Sequence, residues 1–261
     1  MKITDTHVHS NWSSDSTLSM INAIEEAPKK NVNCLAFTDH VDIAYPSSSN
    51  AILAIPLYLH KITLLQKKSS VQVLKGIEVG ITQKNVDETQ YLLDRFAFNY
   101  IIASCHANDY VAFCEKNAYT TYKDRLLDVY FEQIFFIVSS LRSYHTLAHI
   151  DYITRYHSIS NEEFLLHENH LDQIFHVLIQ RNKALEINTK GLISDQNENL
   201  LLSLVKRFHQ LGGKWVTFGS DAHHANNIGK HYEKAKKILL QAGFSSFAFP
   251  TKEDEWTYCQ E

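Results

Sequence analysis

The chain has 261 residues, 44% of them hydrophobic, with four cysteines and a formal net charge of −4. That length and apolar content suit one sizeable core, about the size of a single α/β barrel, and the mild acidity without a basic run excludes an electrostatic case for nucleic acid or an anionic membrane. Residues 1–20 lack the apolar core of a signal peptide, no segment approaches the roughly 20 apolar residues of a membrane span, and the cysteines show no C-x-x-C spacing, so a cytoplasmic protein with reduced thiols is expected.

Short apolar runs alternate with longer segments of helical period. A strand near 2–7 opens the chain and carries Asp5, His7 and His9 at alternate positions, which a regular strand points to one face. A helix near 18–30 leads to a strand near 33–38, which ends in AFTDH with His40; YPSSSNA at 45–51 predicts a surface loop. A helix near 52–69 precedes a strand near 72–78 running into GIEVG, with Glu78. Next come a helix near 87–96 and a strand near 100–105 ending in SCH, with His106. The helix near 120–142 is apolar on most faces, which predicts deep burial, and the strand near 145–149 delivers His149. A helix near 161–182, a strand near 184–188 (LEINT) and a helix near 196–211 follow. The strand near 215–219 leads into GSDAH with Asp221 and His223, and a last helix near 228–242 has a polar face and a glycine stop. Seven strand–helix units in succession predict parallel strands with right-handed crossovers, closed or nearly closed into a barrel. No linker divides the chain, so one domain over 1–261 is expected.

Such a barrel collects its functional groups at the carboxyl ends of the strands. Six of the seven strand ends deliver an imidazole or a carboxylate, LEINT being read as the exception. Each piece alone is ordinary: a His-x-His is often an exposed strand end, and Thr-Asp is common turn chemistry. Glu78 is less ordinary, because an acidic group in an apolar strand is costly unless paired. The joint placement on one rim points to metal binding by neutral imidazoles and carboxylates, the donor set of zinc, manganese and iron(II). The candidates are His7, His9, Asp15, His40, Glu78, His106, His149, Asp221 and His223, too many for one tetrahedral ion and about right for two or three. The lack of cysteine among them argues for open, water-binding positions. His60, His145, His157, His167, His170, His176, His209, His224 and His231 read as structural or surface groups.

DTHVHS, TDH, GIEVG, SCH, AHIDYITRY and SDAH, in that order and spacing, resemble the PHP (polymerase and histidinol phosphatase) superfamily. Within it they look most like the monofunctional histidinol-phosphate phosphatases. The resemblance spans residues 1 to about 230 and implies an α/β fold, a distorted (β/α)7 barrel of PHP type. It also implies divalent transition metals. His7 and His9 would hold one with Glu78 and Asp221; Glu78 would bridge to a second completed by His106 and His149; Asp15, His40 and His223 would take a third. Only the resemblance promotes Asp15, and Asp5 and Asp39 read as groups that orient ligands.

Arg155, six residues after His149, is a candidate for gripping phosphate oxygens bidentately. Many relatives carry an arginine shortly after an NT-x-GL motif, whereas this chain reads EINTKGLISDQ, so Lys190 is the candidate second positive charge. Asp42 and Tyr119 are candidate contacts to the organic part of a substrate. The implied activity is hydrolysis of L-histidinol phosphate in histidine biosynthesis. The ions activate water, Arg155 neutralises the phosphoryl group, and Asp221 is the candidate proton shuttle. The chain has no G-x-S-x-G and no C-x5-R motif, which argues against a phosphoenzyme. Two alternatives stand beside this reading: a PHP phosphoesterase for another monoester (a nucleotide, a sugar phosphate or phosphotyrosine), and a PHP domain that binds metal without catalysis. The expected partner is a small-molecule phosphate monoester, with no nucleic acid and no membrane.

Overall fold

Strands β1 (Ile3–Val8), β2 (Val32–Phe37), β3 (His40–Asp42), β4 (Asn50–Ala51), β5 (Gln72–Gly80), β6 (Tyr100–Ser104), β7 (Thr146–Leu147), β8 (Ala184–Asn188) and β9 (Val216–Gly219) form one sheet in the computed structural model. The structure describes residues 2–43, 50–51, 54–252 and 255–259, and the loop expected at 45–51 lies outside them except for Asn50 and Ala51. The main path runs β1-β2-β5-β6-β7-β8-β9, every neighbour parallel. Past their ends the first and last strands meet: Asp221 N donates to His7 O at 2.8 Å and His9 N to Ala222 O at 2.9 Å. The result is a near-closed, distorted seven-stranded α/β barrel.

Helices α1 (Met20–Glu26), α2 (Ile55–Gln66), α3 (Val86–Arg95), α4 (Lys116–Tyr122), α5 (Leu126–Ser140), α6 (Asn161–Leu165), α7 (Glu168–Gln180), α8 (Asp195–Gln210) and α9 (Tyr232–Gln241) connect the strands. Alternation along β2 sends Leu35 and Phe37 into the larger core, which they share with Ile134, Ile174 and Leu204 of the helices. Cys34 and Ala36 point the other way, into a small cluster with Leu74, Tyr100, Ile102 and Ala148. Helix α5 buries Leu126, Leu127, Tyr130, Phe131, Ile134, Ile137 and Val138, as its apolar faces predict. The single helices expected over 120–142 and 161–182 are each broken. Lys123 takes φ 48° after α4, and a capping box of Ser160 with Glu163 starts the short α6 before α7 begins afresh. Among the described residues no helix is long and apolar enough to cross a membrane.

Three features depart from a regular barrel. An antiparallel pair, β10 (Ala248–Lys252) and β11 (Glu255–Tyr258), was not expected; Phe249 packs against the small cluster and Trp256 stacks on Trp215 at 5.8 Å. In β1, Asp5 pairs with Leu35 and Val8 with Phe37, so three steps of β1 match two of β2. This bulge puts consecutive residues on one side: Thr6 Oγ1 reaches the Tyr100 hydroxyl while His7 reaches Glu78. Asp5 therefore does not project with His7 and His9 as expected, and instead accepts hydrogen bonds from Ser220 N, Ser220 Oγ and Gly229 N.

The third departure is at Thr38 and Asp39, where β2 hands its pairing with β5 to β3. Gly76 permits this, since a Cβ there would stand 2.6 Å from Phe37 O. The buried Tyr58 hydroxyl lies 2.9 Å from Phe37 O and 3.0 Å from Gly76 O, a donor shared between the two carbonyls at the break. Tyr58→Phe removes that donor and should cost about 1–3 kcal/mol in urea unfolding with an unchanged m value. A midpoint equal to the parent's would mean the hydroxyl contributes nothing to the break.

Candidate metal centre

Strand β5 carries Glu78 between Ile77 and Val79, all three fully buried. Its two oxygens face different partners. Oε1 lies 2.9 Å from His149 Nε2 and 3.3 Å from His106 Nε2, and accepts a 2.6 Å hydrogen bond from Ser104 Oγ. Oε2 lies 3.3 Å from His7 Nε2, 3.2 Å from His9 Nε2 and 3.1 Å from His40 Nδ1. Asp221 Oδ1 stands 3.4 Å from His9 Nε2 and 3.5 Å from His223 Nδ1. Asp15 Oδ2 stands 3.4 Å from His40 Nε2 and 3.1 Å from His223 Nε2. All nine residues expected as ligands thus stand in one cluster, buried except for Asp15, whose side chain is 47% exposed.

Tautomers decide whether such a cluster fits cations. Ser13 Oγ donates to Asp39 Oδ1 at 2.7 Å, so it can only accept from His9 Nδ1 at 3.3 Å, and His9 Nε2 is left with a lone pair. His7 Nδ1 donates to Glu186 Oε1 at 2.7 Å, which leaves a lone pair on His7 Nε2. These two nitrogens face each other at 3.0 Å with Glu78 and Asp221 beside them. His106 repeats the pattern: Nδ1 donates to Asp42, which leaves Nε2, 3.3 Å from Glu78 Oε1, to take up a proton or a metal ion. Buried lone pairs and carboxylates converging on shared points repel one another unless a positive charge, a proton or a metal ion, lies between them. Glu78 with His7 and His9, Glu78 with His106 and His149, and His9 with His40 and His223 each bring ligand atoms within 4.8 Å. The donors are imidazole and carboxylate, so the residues fit zinc, manganese or iron(II).

The field agrees with the geometry. Burial alone would raise the Glu78 carboxyl, but the imidazoles of His7, His40 and His106 hold it well below the usual carboxylate range. Burial would likewise raise Asp221, which Lys190, His7, His9 and Arg155 keep ionised. His7 is disfavoured as a cation by burial, yet Glu186, Glu78 and Asp221 draw it well above the usual imidazole value. A field that strong for one positive charge favours a divalent cation still more. Burial pushes His149 down to about 4, against the pull of Glu78, which favours the neutral imidazole that a metal ion would need.

Two cations stand at the rim beside Asp221. Arg155, in the turn Tyr152–Arg155 after β7, donates from Nη1 to Asp221 Oδ2 at 3.2 Å and from Nη2 to Asn188 Oδ1 at 2.9 Å. Lys190 Nζ donates to Asp221 Oδ1 at 3.1 Å. The two candidate substrate contacts fare differently from these. Asp42 is 4% exposed and its oxygens lie 3.2 and 3.3 Å from His106 Nδ1, so it is committed to that imidazole and does not face solvent. Tyr119, 56% exposed, lies in an outer groove with Lys116, Tyr156 and His157, because α4 turns Ala118 inward and leaves its neighbour outside. The structure does not bring Tyr119 to the cluster.

One residue escaped the sequence reading. Glu186 of β8, 1% exposed, accepts from His7 Nδ1 through Oε1, and from His149 N and Asn188 Nδ2, both at 3.0 Å, through Oε2. LEINT therefore does supply a carboxylate. The signal was there: an acidic side chain in an apolar strand is as costly at Glu186 as at Glu78.

A family model described as PHP domain matches residues 5–190. A protein of Clostridium acetobutylicum named "Probable histidinol-phosphatase" is 30% identical over 237 residues, covering 90% of this chain and 91% of its own. The protein of Lactococcus lactis subsp. lactis named "Histidinol-phosphatase" is 30% identical over 262 residues, with 95% and 94% covered. A crystal structure of histidinol phosphate phosphatase from Lactococcus lactis subsp. lactis, complexed with zinc, L-histidinol and phosphate, matches with a TM-score of 0.88 at 27% identity. It covers 98% of this chain and 99% of that one.

Proposed function

The chain belongs to the PHP domain family, and we propose that it is a metal-dependent phosphatase hydrolysing L-histidinol phosphate to L-histidinol and phosphate in histidine biosynthesis. The observation that carries this reading is the buried cluster around Glu78 with Arg155 and Lys190 beside it on Asp221. Two relatives 30% identical over most of the chain and named for histidinol-phosphatase activity support the substrate.

Two to three divalent ions (zinc, manganese or iron) would be held by His7, His9, Glu78 and Asp221, by Glu78, His106 and His149, and by Asp15, His40 and His223. Bound there, they would activate water and neutralise charge on the phosphoryl group. The chain's own groups do the rest. The Arg155 guanidinium, fixed by Asn188, presents a flat pair of donors to equatorial phosphoryl oxygens, and Lys190 adds a mobile point charge. Lys190 and Arg155 help hold Asp221 ionised and so weaken it as a base. Once the phosphoryl group compensates their charge, Asp221 can take a proton from the attacking water and return it to the leaving alkoxide. The whole chain acts as one domain in this reading.

L-Histidinol phosphate should be hydrolysed with a clear kcat/KM preference over a generic aryl phosphate when the two compete at equal concentration. The gene should also restore growth without histidine to a strain lacking histidinol-phosphatase. Equal turnover of both esters would move the reading to a broader phosphoesterase, which the lack of an arginine shortly after NTKGL would accommodate. No turnover of any phosphate monoester by metal-loaded protein would overturn it.

A further inference from the structure

Two of the ligand histidines are held in the same way by carboxylates that sit over a glycine. His7 Nδ1 meets Glu186 Oε1 at 2.7 Å, and a Cβ on Gly219 of β9 would overlap that same oxygen and stand 2.6 Å from His7 Cβ. His106 Nδ1 meets Asp42 Oδ2 at 3.2 Å, and a Cβ on Gly80 of β5 would overlap Asp42 Oδ1. Neither glycine has positive φ, so backbone conformation does not call for glycine at either position. Space does.

We propose that Glu186 and Asp42 are matched positioning residues, one for each of the two ion positions that share Glu78, and that Gly219 and Gly80 are the seats that admit them. This rests on the metal-centre reading above. Each carboxylate accepts the Nδ1 proton of its histidine, which fixes the tautomer with a lone pair on Nε2, turned to the common point, and raises the basicity of that nitrogen. Glu186 is the more exacting of the pair. Both of its oxygens must accept, Oε1 from His7 and Oε2 from His149 N and Asn188 Nδ2. A glutamine has one acceptor end. Whichever way it turned, an NH2 would face an N–H donor, so a change that preserves volume still breaks the arrangement. Glu186 also spans both positions, because His149 is a ligand of the second while His7 is a ligand of the first.

The test uses the protein stripped with a chelator and reloaded with Zn²⁺ against a chromophoric competitor, and with Co²⁺ for its visible spectrum. Circular dichroism confirms the fold of each variant. Glu186→Gln and Asp42→Ala should each weaken metal binding about 10–100-fold and alter the Co²⁺ bands. Gly219→Ala, whose Cβ would crowd both Glu186 and His7, should shift the Co²⁺ bands at least as far as Glu186→Gln, and Gly80→Ala should shift them at least as far as Asp42→Ala. Variants that bind Zn²⁺ as tightly as the parent with unchanged Co²⁺ spectra would overturn the proposal and leave the metal centre standing. A parent protein that binds no ion would overturn the metal-centre reading, and this inference with it.

Discussion

Glu78→Ala should lower kcat/KM by about 1,000-fold or more and should cost the protein at least one bound ion. The loss exceeds the roughly 10–100-fold typical of removing a partner of a ligand, because Glu78 serves both sides of the cluster. Oε1 faces His106 and His149; Oε2 faces His7, His9 and His40. Removing the carboxylate leaves five imidazoles with no anion common to them all, since Asp221 pairs only with His7 and His9 among them and Asp42 only with His40 and His106. Glu78→Gln separates ligation from packing, since it keeps the side-chain volume and the Ser104 hydrogen bond but gives up the charge and one acceptor oxygen. Both variants should fail to regain activity at Mn²⁺ or Zn²⁺ concentrations that saturate the parent. Metal content by elemental analysis, read beside the initial rate, decides the matter. Near-parental activity and metal content in Glu78→Ala would remove the bridging role.

Arg155→Ala should lower kcat/KM by about two orders of magnitude with metal content unchanged, which corresponds to roughly 3 kcal/mol of charge-assisted contact. The guanidinium is preorganised: Asn188 takes Nη2, Asp221 takes Nη1, and the Tyr152 ring lies 5.6 Å beneath it. Only 11% of its side chain is exposed, so little entropy is lost when phosphate arrives. Arg155→Lys should recover little of the loss, because the three donors of an ammonium cannot hold Asn188 and Asp221 and still serve two phosphoryl oxygens. Lys190→Ala should show a smaller loss of the same kind, since that side chain is 41% exposed and reaches Asp221 through a single nitrogen. Parental kinetics in Arg155→Ala would remove the residue from the reaction altogether.

Much of the candidate site was legible in the sequence, for a local reason. Strands announce themselves by short apolar runs, and the residue that follows each run is at the rim by topology alone. His7, His40, His106, His149, Asp221 and His223 could therefore be collected without knowing a single distance. Glu78 could be added on the cost of burying an acid in Ile77–Val79. What such local evidence could not determine is which group holds which. Asp5 was expected beside His7 and His9, yet a bulge in β1 turns it to Ser220 and Gly229. Asp42 was expected at the substrate, yet the gap over Gly80 lets it reach His106, 64 residues away. Glu186 carried the same local signal as Glu78, but its partner His7, 179 residues distant, and the space over Gly219 that it occupies are set only in the folded barrel. The identities of the candidate ligands follow from strand ends, which are local. Their orientation follows from close approaches between strands, and these depend on bulges and on missing Cβ atoms that act only once the barrel has closed.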